Sequence, residues 1–331
     1  MKWTQENIKT LLECETEDEL KKKFPGASIA HLERQQRRFR AEPKKNKEAE
    51  AVKEKKEMQV KLKETEQRVK ELMKRDKIHI QDFYGQTFKF GVVSDTHFGS
   101  IHEKKPELYA AYQYFHKEGV KVVYHCGDLV EGEKLYRGQE YERYVSGADA
   151  LAQNVIDEYP RNGITTYFVT GSHDLSYWKE VGFDIGNRIA EKRPDMIYLG
   201  PDEADIRITP NFIIRLVHPG GGTAYALSYQ PQKYIEALSG GQKPTVILFG
   251  HYHKAEYMPC YRNIFTIQAG CFQGQTTFMK RKRLAAHLGF WVVEAMINKE
   301  KLVSRLKAEF IAFYEKTEIN EPSEPFQPLE T

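Results

Sequence analysis

Three patterns of hydrophobic and polar positions follow one another along the 331-residue chain. Over residues 1–40 apolar side chains recur every three or four positions, which is the period of an amphipathic helix. Residues 41–80 are dominated by lysine, glutamate, arginine and glutamine. From residue 85 onward, short β-branched and aromatic runs alternate with helical stretches. The alternation predicts an α/β domain over 85–300, preceded by a small helical module and a charged linker.

The first 40 residues are predicted to form three helices. Thr16 and Glu19 have the spacing of a capping box at the start of the second helix, and Ser28 can cap the third. The third helix carries a basic series, namely His31, Arg34, Arg37, Arg38 and Arg40. This layout resembles the helix-turn-helix modules of DNA-associated proteins. The alternative is a helical docking module whose arginines form a solvated face.

The segment over 41–80 is predicted to be a charged helical linker. Opposite charges recur four residues apart, as in Glu57 with Lys61, and such pairs stabilise a solvated helix. Apolar positions over residues 58–72 follow the 4-3 spacing of a short coiled-coil seam. A plain helical spacer and self-association through residues 58–72 are therefore both open.

Composition excludes several classes of protein. The formal net charge of +3 is too small to indicate nucleic-acid binding by the whole molecule, so any such argument must be local. The four cysteines are far apart and form no C-x-x-C pair, which argues against a zinc ribbon or a disulfide framework. No apolar run is long enough to span a membrane. We therefore expect a cytoplasmic protein with no membrane partner.

Seven predicted strands alternate with four predicted helices in the α/β domain. The strands are Phe88–Val93, Val120–Tyr124, Thr165–Val169, Phe212–Val217, Thr245–Phe249, Phe265–Gln268 and Gly289–Ala295. The helices are Pro106–His116, Ala148–Tyr159, Asp184–Lys192 and Gln232–Leu238. Over 301–331 the pattern predicts an amphipathic helix at Leu302–Phe313, followed by an extended tail rich in proline.

Side chains that bind metals follow five of these strands. The sequences are Asp95-Thr-His97, Gly127-Asp128, Gly171-Ser172-His173-Asp174, the single residue His218, and Gly250-His251-Tyr-His253. Because ligands of open α/β sheets bind at the carboxyl ends of the strands, these residues should gather in one place. Imidazoles that converge with carboxylates suit a centre of two transition-metal ions.

This ordered set of motifs resembles the five motifs of the calcineurin-like metallophosphoesterases, over about residues 85–300. The resemblance implies a four-layer α/β/β/α sandwich that holds two divalent metal ions. Manganese is the first expectation, with iron, zinc or nickel as alternatives. The resemblance also implies an in-line attack on phosphorus by a hydroxide that bridges the two ions.

The resemblance further implies a role for each motif residue. Asp95, His97 and His253 would bind the first ion, and Asp128 would bridge to the second. His218 and His251 would bind the second ion. Where the family has asparagine as a ligand of that ion, this chain has Ser172. His173 would act on the leaving group, and Asp174 would orient its ring.

The substrate expectation is DNA or another phosphodiester. Ser94–Gly99 and Gly127–Val130 resemble the nuclease branch of the family, and the basic run Lys280–Arg283 could contact phosphates. Aromatic and basic residues that could stack on unpaired bases are interleaved after Asp128, namely Tyr136, Arg137, Tyr141, Arg143 and Tyr144. Two alternatives stay open. One is a small-molecule phosphatase or phosphodiesterase, and the other is a non-catalytic DNA-binding or scaffold protein with a degenerate metal site.

Overall fold

The computed structural model describes residues 3–40, 78–222 and 224–314, with isolated helical positions at 56, 58, 59, 61 and 63. The remainder of the predicted linker, most of the predicted seam over 58–72 and the predicted tail after residue 314 lie outside the described residues. The chain divides into two compact units, Met1–Glu71 and Leu72–Thr331.

Residues 3–40 of the first unit contain three helices, as the sequence predicted. They are α1 (Gln5–Glu13), α2 (Glu17–Lys23) and α3, which is described over 29–40. The capping box is present, since Thr16 accepts the amide of Glu19 and the Glu19 carboxylate accepts the amide of Thr16. A small core holds the helices together through Leu11, Leu20, Phe24 and Leu32, with Trp3 and Phe39 against it.

The second unit contains twelve strands in the described residues. They are β1 (His79–Ile80), β2 (Thr87–Val93), β3 (Val122–His125), β4 (Thr165–Thr170), β5 (Met196–Pro201), β6 (Glu203–Thr209), β7 (Phe212–Val217), β8 (Val246–Phe249), β9 (Ala255–Tyr261), β10 (Ile264–Ala269), β11 (Gly289–Ile297) and β12 (Val303–Ala312). The helices are α4 (Lys105–Lys117), α5 (Ala148–Glu158), α6 (Ser176–Val181), α7 (Ile185–Lys192), α8 (Tyr229–Ala237) and α9 (Thr277–Lys282).

The strands form two six-stranded sheets that pack face to face. One sheet has the order β12-β11-β2-β3-β4-β5, and the other has the order β1-β6-β7-β8-β10-β9. The core between them joins Phe90 and Val92 of β2 to Leu216 of β7 and Leu248 of β8. Helices α4, α5 and α7 cover the outer face of the first sheet, and α8 covers that of the second. The layers are therefore α/β/β/α, as the resemblance implied.

The helix predicted over Leu302–Phe313 is wrong, because this segment is strand β12. It pairs antiparallel with β11 along its whole length, from Gly289 opposite Ala312 to Ile297 opposite Val303. Leu306, Phe310 and Phe313 fit a helical spacing, but Leu306, Ala308 and Phe310 also alternate as a strand requires. Leu306, Ala308 and Phe310 pack against the core between the sheets. The segment is thus part of the sandwich and not a separate terminal element.

All seven predicted strands and the four helices predicted between them are present, with shifted ends. Strands β1, β5, β6 and β9 and the short helices α6 and α9 were not predicted from the sequence. No helix among the described residues is both long and apolar enough to cross a membrane.

Candidate metal centre

The candidate ligands lie in the loops that follow five strands, at one edge of the two sheets. Strands β2, β3 and β4 run parallel in one sheet, and β7 and β8 run parallel in the other. Their carboxyl ends therefore point to the same side. The structure brings together all of the predicted ligands at this edge, in the order Asp95, His97, Asp128, Ser172, His218, His251 and His253.

Five ligand residues adopt the left-handed backbone conformation. Their φ values are 52° at Asp95, 47° at His97, 53° at Asp128, 75° at His251 and 53° at His253. A non-glycine residue in this region costs on the order of 1–3 kcal/mol and persists only where the surrounding structure imposes it. In the motifs Asp95-Thr-His97 and His251-Tyr-His253, both candidate ligands have left-handed backbone. These turns direct the side chains toward a common point.

Two glycines are needed because ligand side chains pack directly on the backbone. A Cβ atom on Gly171 would overlap the Asp128 carboxylate and the His218 ring, and one on Gly127 would overlap the His218 ring. Gly127 also has a φ of 94°. The glycines of the second and third motifs therefore make room for His218, which comes from the opposite sheet.

The first ligand set consists of Asp95, His97 and His253. Their ligand atoms all lie within 4.8 Å of one another. Nε2 of His97 is 3.2 Å from Nε2 of His253, and the latter is 3.3 Å from Oδ1 of Asp95. Two imidazole nitrogens and a carboxylate oxygen thus face the same point, as the ligands of one cation do.

The second ligand set consists of Asp128, His218 and His251, again with ligand atoms within 4.8 Å of one another. Nδ1 of His218 donates to the carbonyl of Cys126 at 2.7 Å, and Nε2 of His251 donates to the carbonyl of Gly221 at 2.6 Å. Because a carbonyl oxygen only accepts, these bonds determine both tautomers. In the neutral rings, Nε2 of His218 and Nδ1 of His251 therefore carry the lone pairs.

Ser172 lies beside the second ligand set. Its hydroxyl donates to Oδ2 of Asp128 over 3.3 Å, while Nε2 of His218 is 3.0 Å from the same oxygen. The Ser172 hydroxyl thus contacts the same Asp128 oxygen as His218 does. It is shorter than the asparagine side chain that the family motif carries at this position.

Glu131 was missed by the sequence analysis, although it is a buried part of the site. Its Oε2 lies 3.1 Å from Nδ1 of His97 and accepts from Gln273 at 2.7 Å. Gln139 donates to the other carboxylate oxygen at 3.0 Å. A carboxylate behind a metal-binding imidazole orients the ring and raises its basicity. The only sequence signal was its position three residues after Asp128.

The expected role of Asp174 needs correction. Its carboxylate accepts from the backbone amides of Leu129, Val130 and Gly171 at 2.8–3.2 Å, and His173 is not among its partners in the described residues. The ring of His173 is held instead by the carbonyl of Glu131, 2.6 Å from Nδ1. Asp174 therefore braces the loops after β3 and β4, whereas the backbone of Glu131 orients His173.

The charges of the site are strongly coupled. Burial disfavours a charged ring at His97, but Asp95 and Glu131 outweigh burial and raise its pKa to about 9. Burial is likewise outweighed at His218, where Asp128 raises the pKa to about 9. The pKa of the Asp95 carboxyl lies well below its ordinary value, because His253 and His97 outweigh the opposing effect of burial. Without metal, protons thus balance the buried carboxylates.

The donor set fits divalent transition-metal ions. Imidazole nitrogens and carboxylate oxygens are ligands for manganese, iron, zinc and nickel. The buried Nε2 of His218 has no hydrogen-bond partner among the described residues, although it lies 3.0 Å from Asp128. A buried nitrogen with an unused lone pair is costly unless a cation or proton binds it. Two sets of such ligands can hold two ions.

The ligand sets open into a cavity of about 280 Å³. Its polar lining residues include His97, Asp128, His173, His251 and His253. Aromatic and apolar residues also line it, namely Tyr136, Tyr252, Phe278, Met279 and Leu284. A lining of both kinds suits a ligand that joins an anionic group to an apolar one.

Most of the aromatic and basic residues predicted to contact unpaired bases do not line this cavity. Arg143 pairs with Glu133 at 2.6 Å, and the hydroxyl of Tyr144 donates to Glu103 at 2.6 Å. Tyr141 is 82% exposed and is not one of the residues that line the cavity. Of the five, only Tyr136 is a lining residue. Arg143 and Tyr144 of the loop after β3 are thus bound to carboxylates of the protein.

Comparison with protein families places residues 88–286 in a calcineurin-like phosphoesterase superfamily domain. The match covers more than half of the chain and includes every motif residue named above. A comparison with curated proteins found no significant match.

Solved structures with a similar fold include three from different organisms. A conserved uncharacterized protein from Streptococcus pneumoniae, described as a predicted phosphoesterase, is 13% identical over 69% of this chain and 100% of its own, with a TM-score of 0.35. A dimetal phosphatase from Danio rerio is 12% identical over 67% and 95%, with a TM-score of 0.38. A putative 5'-nucleotidase from Staphylococcus aureus is 9% identical over 72% and 56%, with a TM-score of 0.39. The family assignment rests on the family model and not on these structures.

Proposed function

The chain belongs to the calcineurin-like phosphoesterase superfamily, and from this premise we propose that it is a dinuclear-metal-dependent phosphodiesterase that cleaves DNA. The family makes it a metal-dependent phosphoric ester hydrolase. One observation carries the proposal of two ions. Asp95, His97 and His253 have ligand atoms within 4.8 Å of one another, and so, with no residue in common, do Asp128, His218 and His251. Both sets contribute lining residues to the cavity, namely His97 and His253 of the first and Asp128 and His251 of the second, so a phosphate in the cavity would have access to both ions.

Each ligand set would hold one ion, and manganese is the ion we propose. Asp95, His97 and His253 would hold the first, and His218 and His251 the second. Asp128 would contact both, with Ser172 beside it. When bound, two such ions supply positive charge to the phosphoryl oxygens and lower the pKa of a water molecule.

The chain's own contribution to proton transfer would come from His173. Because the carbonyl of Glu131 accepts from Nδ1 at 2.6 Å, Nδ1 carries a proton in every state of the ring. Nε2 is therefore the atom that takes up or releases a proton toward the leaving oxygen. The backbone amide of His173 also donates to Oδ1 of Asp128 at 2.7 Å, which ties the ring's position to the metal centre.

The first unit would bring the protein to DNA through α3. Arg34, Arg37, Arg38 and Arg40 are exposed on this helix, while Leu32 is buried in the small core. Arginines on one exposed helix face attract phosphates and lose affinity as salt rises. In the full chain, Arg34→Gln with Arg37→Gln should weaken DNA binding and reduce its salt dependence. Lys9→Gln with Lys22→Gln in α1 and α2 is the matched control.

The catalytic proposal is tested by turnover of the full-length protein loaded with Mn²⁺. Single-stranded DNA, duplex DNA and methyl p-nitrophenyl phosphate should all be examined, together with p-nitrophenyl phosphate as the monoester. We expect DNA cleavage that His173→Asn reduces by at least about a hundredfold. Wild-type protein that cleaves no DNA, and behaves like His173→Asn, would overturn the proposal.

The same preparation separates the two alternatives. Turnover of the monoester in preference to both diesters would favour a small-molecule phosphatase. Less than one metal ion per chain after loading, measured by elemental analysis, would favour a non-catalytic scaffold.

A further inference from the structure

Two aromatic rings stand against each other at the wall of the metal cavity. The ring centroids of Tyr136 and Phe278 are 5.2 Å apart with an interplanar angle of 29°, which is a stacked arrangement. Both residues line the cavity, and Phe278 is 40% exposed. An apolar ring left open to solvent beside a polar metal site is a surface on which a flat apolar group can stack.

The pair is held rigidly by one carboxylate that joins two distant segments. Oε2 of Glu142 accepts from the hydroxyl of Tyr136 at 3.0 Å, and Oε1 accepts from the backbone amide of Thr277 at 2.8 Å. Glu131 lies 3.1 Å from the same hydroxyl. Thr276 caps α9 by accepting the amide of Met279. Both rings are therefore positioned before any ligand binds, which lowers the entropy cost of binding.

A cluster of four cations lies directly beside the pair in sequence. Lys280, Arg281, Lys282 and Arg283 are all exposed, and they are flanked by Met279 and Leu284, which line the cavity. Within the described part of the chain, no ion pair involves these four residues. By contrast, Arg143, Arg193 and Arg215 each pair with a carboxylate at 2.6–2.7 Å. The four cations keep their full attraction for an anion.

From this arrangement we propose that Tyr136, Phe278 and the run Lys280–Arg283 form a subsite for single-stranded DNA, with an unpaired base stacked on Phe278 and the adjoining phosphates on the cations. The proposal rests on the proposed function, since it names the form of DNA that the metal centre takes. In a duplex both faces of each base are covered by neighbouring bases, so the ring can reach only an unpaired one.

The subsite predicts that single-stranded DNA is preferred over the same sequence in a duplex. Phe278→Leu keeps an apolar side chain but removes the ring. It should lower kcat/KM for a single-stranded 12-mer about tenfold relative to kcat/KM for methyl p-nitrophenyl phosphate. Tyr141→Leu, which removes an exposed ring outside the cavity from the loop after β3, is the matched control and should leave this ratio at the wild-type value.

Stacking itself is measured with 2-aminopurine in the oligonucleotide. Fluorescence of this base should fall when the metal-free protein binds, and Phe278→Leu should abolish the fall. Lys280→Gln with Arg281→Gln should retain stacking but reduce the slope of log affinity against log salt by about 1.4, since each single-strand contact contributes about 0.7.

The outcomes distinguish failure of the subsite from failure of the proposed function. Equal cleavage of duplex and single strand, or an unchanged ratio in Phe278→Leu, overturns the subsite while the diesterase stands. Absence of turnover on every diester overturns the proposed function. The 2-aminopurine measurement then still decides the subsite, because it needs no cleavage.

Discussion

The two ligand sets differ in what holds their imidazole rings. In the first set, a buried side chain, Glu131, lies behind His97 at 3.1 Å. In the second set, the rings of His218 and His251 donate to backbone carbonyls. A carboxylate adds negative charge and basicity to the ring behind the ion, whereas a carbonyl mainly orients it. A substitution at the Glu131 side chain can therefore change the basicity of the first set's imidazole. The ring orientations in the second set depend instead on the positions of backbone carbonyls.

The largest expected effect comes from Asp128, the carboxylate that we propose contacts both ions. Asp128→Asn removes the negative charge that both ions would share, along with its pairing to His218. We expect kcat/KM for methyl p-nitrophenyl phosphate to fall at least about a thousandfold, since several kcal/mol of charge stabilisation are lost. Metal content after Mn²⁺ loading should fall to one ion or fewer per chain. Two retained ions in this variant would contradict a shared role for Asp128.

A substitution at Glu131 tests the first ligand set alone. Glu131→Gln keeps the size of the side chain but removes its charge, and we expect a loss of about 10–100-fold in Mn²⁺ affinity or activity. Calorimetric titration should show the loss at one of two binding steps. Glu140→Gln, an exposed carboxylate in the same loop, is the control. An equal loss of affinity at both steps would contradict the inference that Glu131 acts on the first ligand set alone.

Ser172 allows the second ligand set to be improved. Ser172→Asn restores the family's amide and should bring an oxygen ligand closer to the second ion. A net gain of about 1.4 kcal/mol would raise the affinity of the weaker Mn²⁺ step about tenfold. Ser172→Ala, which lacks any ligand oxygen, should shift the same step in the opposite direction. If both variants match the wild type, position 172 takes no part in metal binding.

The smallest expected effect concerns the backbone behind His251. Gly221 has a φ of 95°, and its carbonyl accepts from Nε2 of His251. Gly221→Ala strains this conformation by about 1 kcal/mol. The affinity of the second ligand set for Mn²⁺ should therefore fall about fivefold. The neighbouring Gly222 has no left-handed φ, and a Cβ atom there meets nothing within 4 Å. Gly222→Ala is therefore the matched control, and an equal loss in both variants would argue against a role for the Gly221 carbonyl.

Sequence patterns were sufficient for the central strands and insufficient at the edges of the sheets. Buried parallel strands such as β3 and β8 appear as continuous apolar runs. Strand β9 lies at a sheet edge, is largely half-exposed and contains Pro259, so its pattern resembles a loop. At β12 the apolar positions satisfy two periods at once, and only pairing with β11 selects the strand.

The sequence by itself determined the family and the candidate metal-binding side chains, because each motif is local and directly follows a buried strand. Tertiary structure alone decided the partners of those side chains. Glu131 meets Gln273 across 142 positions of sequence, and Asp174 turned out to bind backbone amides instead of His173. The stacking of Tyr136 on Phe278 is a contact of the same kind. Such contacts depend on how distant loops meet at the sheet edge, which no local pattern encodes.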